Sequence, residues 1–228
     1  TITSENNNLI IISAFLTCLI ALIILRPLSI KFNLVDYPTE RKDHSGKIPL
    51  IGGICVFFGV LIPVFFIIES NEFTIMLLIT SSLILIQGVW DDFTNLQVKS
   101  KMAFQVLLTA IMIYITDVKL ETFGHLFGIS LPIELGVLSI PITLIAVVGL
   151  TNAINMIDGL DGLAASLSLV AIIGLLCFNL KSESSSFTNI IFAVGAALLP
   201  FLIFNISSSS KMKVFLGDGG SLFLGYII

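Results

Sequence analysis

Residues 73–92 read FTIMLLITSSLILIQGVWDD, an apolar run that closes on two adjacent carboxylates, Asp91 and Asp92. A helix of roughly 20 apolar residues crosses the hydrocarbon core of a bilayer. A carboxylate at the centre of such a helix costs about 2.5–3.5 kcal/mol, so a pair of them marks a span end and asks for a use.

The same pattern repeats outward in both directions. Further apolar runs cover residues 9–25, 50–68, 102–115, 135–152, 163–178 and 187–206. With 73–89 they predict an all-α, polytopic membrane helix bundle of seven full spans. Residues 221–228 open an eighth apolar run, so the sequence reads as C-terminally incomplete, stopping inside an eighth helix. The composition agrees. Of 228 residues, 56% are hydrophobic and only 11% charged, against about 25% charged in soluble domains. The mean hydropathy is +1.08. No linker or internal repeat interrupts the spans, which predicts one integral membrane domain over residues 1–228. Cys18, Cys55 and Cys177 stand singly in apolar runs and read as small packing residues.

Orientation follows from the basic residues. With the N-terminus outside, nine fall in inner loops: Arg26, Lys31, Arg41, Lys42, Lys47, Lys99, Lys101, Lys211 and Lys213. Only Lys119 and Lys181 fall outside. Positive charge concentrates on the cytoplasmic side, so the inner loops are expected there. The long outer connection, residues 116–134, alternates enough near GHLFGISLPIE to read as a short hairpin.

Five aspartates then share the inner side: Asp91, Asp92, Asp158, Asp161 and Asp218. Adjacent carboxylates repel unless a cation sits near them or one takes a proton, so Asp91 and Asp92 point to metal or proton chemistry; the bland reading is a solvated helix end. Asn155, Asp158 and Asp161 are spaced by three and would share one helical face. In residues 215–221, FLGDGGS, the glycines would expose backbone N–H groups at a helix start, an anion site beside a cation-holding Asp218. Arg41, Lys42, His44 and Lys47 cluster in the first inner loop, where membrane anchoring and phosphate binding weigh equally. One-sided carboxylates at span ends suit an enzyme. An ion-coupled transporter would place them near the midplane, and a scaffold leaves them unexplained.

Other acidic motifs fit less well. Asn95 stands where the DDxxD motif needs its last aspartate, and no arginine follows Asp161 as a CDP-alcohol phosphotransferase motif requires. Taken in order, RKDHSGKIPLIGG, GVWDD with a lysine nine residues on, NAINMIDGLDGLA and FLGDGGSLFLG resemble the polyprenyl-phosphate N-acetylhexosamine-1-phosphate transferase family. The Ile-Pro-Leu loop is similar to the bacterial undecaprenyl-phosphate GlcNAc-1-phosphate transferase branch; the phospho-MurNAc-pentapeptide transferase branch is the alternative. The resemblance implies a multi-pass enzyme of the bacterial inner membrane with a cytoplasmic site. It implies GlcNAc-1-phosphate transfer from UDP-GlcNAc to undecaprenyl phosphate, with Mg2+ or Mn2+ as cofactor, in the first membrane step of an envelope glycan. It also implies roles: Asp218 and Asn155 on the metal, Asp91 and Asp92 on the lipid phosphate, and Lys101 on phosphate. Asp158 and Asp161 would shape the nucleotide-sugar site, and Phe215 would stack on uracil. Arg41, Lys42, His44 and Lys47 join the substrate-binding set. The expected partners are the two substrates and the bilayer, with no nucleic acid; a homodimer stays open. The family's late His- and Arg-rich loop is not in this sequence, so the sugar assignment rests on the first loop.

Overall fold

The computed structural model describes residues 2–37, 46–68, 71–125, 132–179, 186–209 and 211–228, with the backbone alone for residues 2–5 and 179. Among the described residues there are eight α-helices: α1 Ile2–Lys31, α2 Gly52–Phe66, α3 Glu72–Thr94, α4 Val98–Thr116, α5 Ser139–Ile157, α6 Leu163–Asn179, α7 Ser186–Asn205 and α8 Gly217–Ile227. Five of them, α1, α3, α4, α5 and α7, are long and apolar enough to cross a membrane; α2 and α6 are apolar but shorter. Ile75, Ile79 and Ile86 on α3, and Leu16, Ile20 and Ile23 on α1, stay exposed, as lipid-facing residues do.

The helix ends differ from the sequence reading where it matters. The Asn71 side chain accepts the Thr74 N–H at 2.8 Å and caps α3. No proline intervenes before Asn95, which closes the helix in the left-handed region at φ 51°. Asp91 and Asp92 therefore lie in the last turns of α3, not beyond it. The opposite correction holds on α5. Asp158 leaves helical geometry at ψ 47°, and Gly162 takes φ +75°. Asn155 is thus in the last turn of α5, Asp158 is its cap and Asp161 lies in the following loop. The three do not share one helical face.

Helix α8 sits at the centre, nearly all of its residues 217–227 buried. It packs most extensively on α3, then on α5 and α2. These contacts are backbone to backbone. A Cβ at Gly53 of α2 would lie 2.1 Å from Gly220 Cα, and one at Gly88 of α3 would lie 2.4 Å from Gly219 Cα. A Cβ at Gly225 of α8 would lie 2.6 Å from Thr151 Cα on α5. Between apolar helices in lipid, small residues permit this approach and the dispersion contact it brings. Around this core α1 packs on α2 and α7, α6 lies on α7, and α4 bridges α3 and α5.

A two-stranded antiparallel ribbon, β1 Val35–Asp36 and β2 Ile48–Pro49, joins α1 to α2 with Val35 opposite Pro49. It is laid against the segment entering α8. Phe215 N–H donates to the Pro49 carbonyl at 2.9 Å, and Gly52 N–H donates to the Phe215 carbonyl at 2.9 Å. At the other end of the bundle, Thr122 and Glu134 pair antiparallel. The flanks of the expected outer hairpin thus meet, while residues 126–131 lie outside the described residues.

Candidate active site

The end of α3, the start of α4, the end of α5 and the start of α8 meet at one end of the bundle. Asp91 and Asp92, adjacent in sequence, diverge there. Asp91 is 4% exposed. It forms an ion pair with Lys101 of α4 and accepts the Leu96 N–H at 2.6 Å. Lys101 is held in place one step further back, where Gln87 Nε2 donates to its carbonyl oxygen at 3.1 Å. The repulsion expected between the two carboxylates is thus eased by a lysine on Asp91.

Asp92 turns to α8. Its Oδ1 accepts the Asp218 N–H at 3.1 Å, and the Gly219 N–H faces it as well. The backbone cradle that the glycines were expected to offer an anion therefore already holds one, the Asp92 carboxylate. Asp92 Oδ2 is buried and has no hydrogen-bond partner among the described residues. The Asp218 side chain points to α5, where Asn155 Nδ2 donates to its Oδ1 at 3.0 Å and to Ser221 Oγ at 2.9 Å. The Asp91 carboxyl also faces Asp218. Burial, then the neighbouring charges of Asp218 and Asp161, push the half-buried Asp158 carboxyl up to about 7.

A second group borders the first. Lys213 pairs with Asp161, and its ammonium lies 5.5 Å from the centroid of the Phe215 ring. Lys47 does not join either group: its ammonium lies 5.1 Å over the Tyr37 ring, on the loop itself. Arg41, Lys42 and His44 lie outside the described residues. Sequence reasoning missed Lys213, Ser221 and Gln87 as site residues. Lys213 entered only as an inner-loop charge. Ser221 carried a usable signal, its i+3 spacing from Asp218 on one helix.

Among the described residues no group of three His, Cys, Asp or Glu side chains is arranged to hold a metal ion. The donors present are all oxygen: Asp218, the unpartnered Oδ2 of Asp92 and the Asn155 amide. A hard cation that keeps several waters, and is bound through one or two carboxylates plus substrate phosphates, fits this set. A fully protein-ligated ion does not.

Comparison with known proteins gives the family. Residues 74–228 match the model of Glycosyl transferase family 4. A probable undecaprenyl-phosphate N-acetylglucosaminyl 1-phosphate transferase of Bacillus subtilis (strain 168) is 36% identical over 96% of this chain and 61% of its own length. The undecaprenyl-phosphate alpha-N-acetylglucosaminyl 1-phosphate transferases of Salmonella typhi and Escherichia coli (strain K12) are 34% and 32% identical, each over 96% of this chain and 59% of the relative. The chain therefore spans about three-fifths of the length of the curated relatives it matches. With most of its residues inside the family model, and relatives above 30% identity along nearly all of it, the chain belongs to glycosyl transferase family 4.

Proposed function

We propose that the protein transfers GlcNAc-1-phosphate from UDP-GlcNAc to undecaprenyl phosphate at the cytoplasmic face of the bacterial inner membrane. The observation that carries this reading is the meeting of Asp91, Asp92, Asn155 and Asp218, from three different helices, at the N-terminus of α8. In the reaction an oxygen of the lipid phosphate attacks the β-phosphorus of UDP-GlcNAc. The bond from that phosphorus to the bridging oxygen breaks, leaving undecaprenyl-pyrophosphoryl-GlcNAc and UMP.

Both reactants are anions, so the residues must bring like charges together. Asp218 and Asn155 would hold Mg2+ or Mn2+, which when bound screens the diphosphate and the departing UMP. Asp92 keeps one buried oxygen without a partner, so it is the member of the pair placed to take a proton from the lipid phosphate. Asp91 is committed to Lys101, and its part is to fix that lysine beside the phosphate. Asp158 and Asp161 line the nucleotide-sugar side. Phe215 offers a ring to the base, one face of it lying toward Lys213.

The test is transfer of radiolabel from UDP-GlcNAc into a lipid extract, using the full-length protein with undecaprenyl phosphate. Label should enter the lipid only when Mg2+ or Mn2+ is present. Asp218→Asn should lower the rate by more than about 100-fold, the scale on which losing charge stabilisation at a reacting phosphate is felt. UDP-MurNAc-pentapeptide, run in parallel, should give no product. Full activity in EDTA, or in Asp218→Asn, would remove the metal from this mechanism, and transfer from the pentapeptide donor alone would move the assignment to the peptidoglycan branch.

A further inference from the structure

Asn205 closes α7 at the site end of the bundle and is 5% exposed. Both ends of its carboxamide are used. Its Oδ1 accepts the Gly162 N–H at 2.5 Å, and its Nδ2 donates to the Val214 carbonyl at 2.9 Å. Gly162 directly follows Asp161. Val214 stands between Lys213 and Phe215, four residues before Asp218. One side chain therefore joins two loops that are far apart in sequence. One loop leaves α5 with Asp158 and Asp161, and the other enters α8 with Lys213, Phe215 and Asp218.

The chemistry of the position is narrow. The site needs an acceptor and a donor on one short planar group, and asparagine supplies both. An ionised aspartate keeps the acceptor but sets a charge against the Val214 carbonyl. A leucine of similar size offers neither. The second tie between the loops, the Asp161–Lys213 ion pair, is partly exposed to solvent and depends on the loops already being in register. Neither polar end of Asn205 is left to meet a substrate.

We propose that Asn205 is a positioning residue: its carboxamide sets the register of the α5–α6 loop against the α7–α8 loop, so that Asp161 meets Lys213 and Asp158 comes to face Asp218. The structural half of this stands on the hydrogen bonds alone. The kinetic half rests on the transferase reading above.

The experiment uses the full-length protein in nanodiscs and compares wild type with Asn205→Asp, Asn205→Leu and Lys213→Ala. Hydrogen exchange followed by mass spectrometry reports the loops. Both asparagine variants should speed exchange in the peptides covering residues 160–166 and 212–218 together, with α1 and α2 unchanged. Lys213→Ala should leave the Gly162 segment protected. In the transfer assay, Asn205→Asp should raise KM for the nucleotide sugar by roughly tenfold, the effect of one lost buried hydrogen bond, and leave KM for the lipid acceptor unchanged. If Asn205→Leu exchanges throughout the bundle, Asn205→Asp alone decides. Unchanged exchange in the two loops of Asn205→Asp, or equal rises in both KM values, overturns the proposal. Paired loop deprotection in a protein whose wild type transfers nothing would leave the clip standing and remove the transferase reading instead.

Discussion

Two adjacent aspartates with opposite surroundings are separable by mutation. Asp91 is buried against Lys101, and removing its charge leaves a lysine ammonium unpaired at the edge of the apolar core. Asp91→Asn should therefore lower stability by about 2–3 kcal/mol and, by releasing Lys101, also lower the activity of the protein that stays folded. Asp92→Asn should leave the unfolding midpoint near wild type and remove most turnover, because the unpartnered oxygen is the one changed. Thermal unfolding of both variants beside their specific activities checks this. Equal loss of stability in the two would contradict the division of roles. Asp158 offers a further test at the same scale. Its carboxyl is raised to about 7, in part by the charge of Asp161. For an acid raised above its unfolded value of about 3.9, the stabilisation belongs to the protonated form. It is complete below that unfolded value and is lost as pH rises through about 7. Asp161→Asn removes one of the raising charges, so the Asp158 midpoint should move down, as followed by the 13C shift of its carboxyl carbon. An unchanged midpoint would show that Asp161 does not act on Asp158.

At the scale of elements, the apolar runs made the helices legible, since each one recovers a helix of the bundle. Their ends were less legible, because an end is decided by capping rather than by hydropathy. Asn95, taking the left-handed turn, carried α3 past Asp92. The backbone of Asp158 stopped α5 short of Asp161, which broke the three-residue stripe. Lys213 was visible only as one more inner charge, since pairing across two loops leaves no local pattern in sequence. The glycines told more than their number suggests. Gly53, Gly88, Gly219, Gly220 and Gly225 occur where α8 touches its neighbours through backbone, whereas Gly149 and Gly174 face open space. Gly53→Ala should therefore lower stability by about 1–3 kcal/mol, the range for overpacking. Gly174→Ala should be neutral or stabilising by up to about 1 kcal/mol, through the lost chain entropy of glycine. The retained monodisperse fraction after heating in detergent separates the two. A tolerated Gly53→Ala would mean that α8 does not approach α2 as closely as described.

For the whole molecule, the decisive property is which end faces which compartment. The site end of the bundle carries Arg26, Lys31, Lys47, Lys99, Lys101, Lys211 and Lys213 among the described residues. The other end carries Lys119 beside Asp117, Glu121 and Glu134. From the positive-inside tendency we propose that the site end is cytoplasmic and the N-terminus outside. The proposed chemistry calls for the same arrangement, because a nucleotide sugar bearing several charges does not cross a hydrocarbon core unaided. Thr94 and Ser209 are exposed at the site end, and Glu121 is exposed at the other. Cys177 is exposed and Cys18 and Cys55 are buried, so a Cys177→Ser background leaves little native thiol to react. In that background, single cysteines at Thr94 and Ser209 should resist a membrane-impermeant maleimide in intact cells and react once the cells are opened. A cysteine at Glu121 should react in intact cells. Labelling of Thr94→Cys and Ser209→Cys from outside would invert the bundle. The acids, the lysines and the loops tied by Asn205 would then face a compartment with no nucleotide sugar to use.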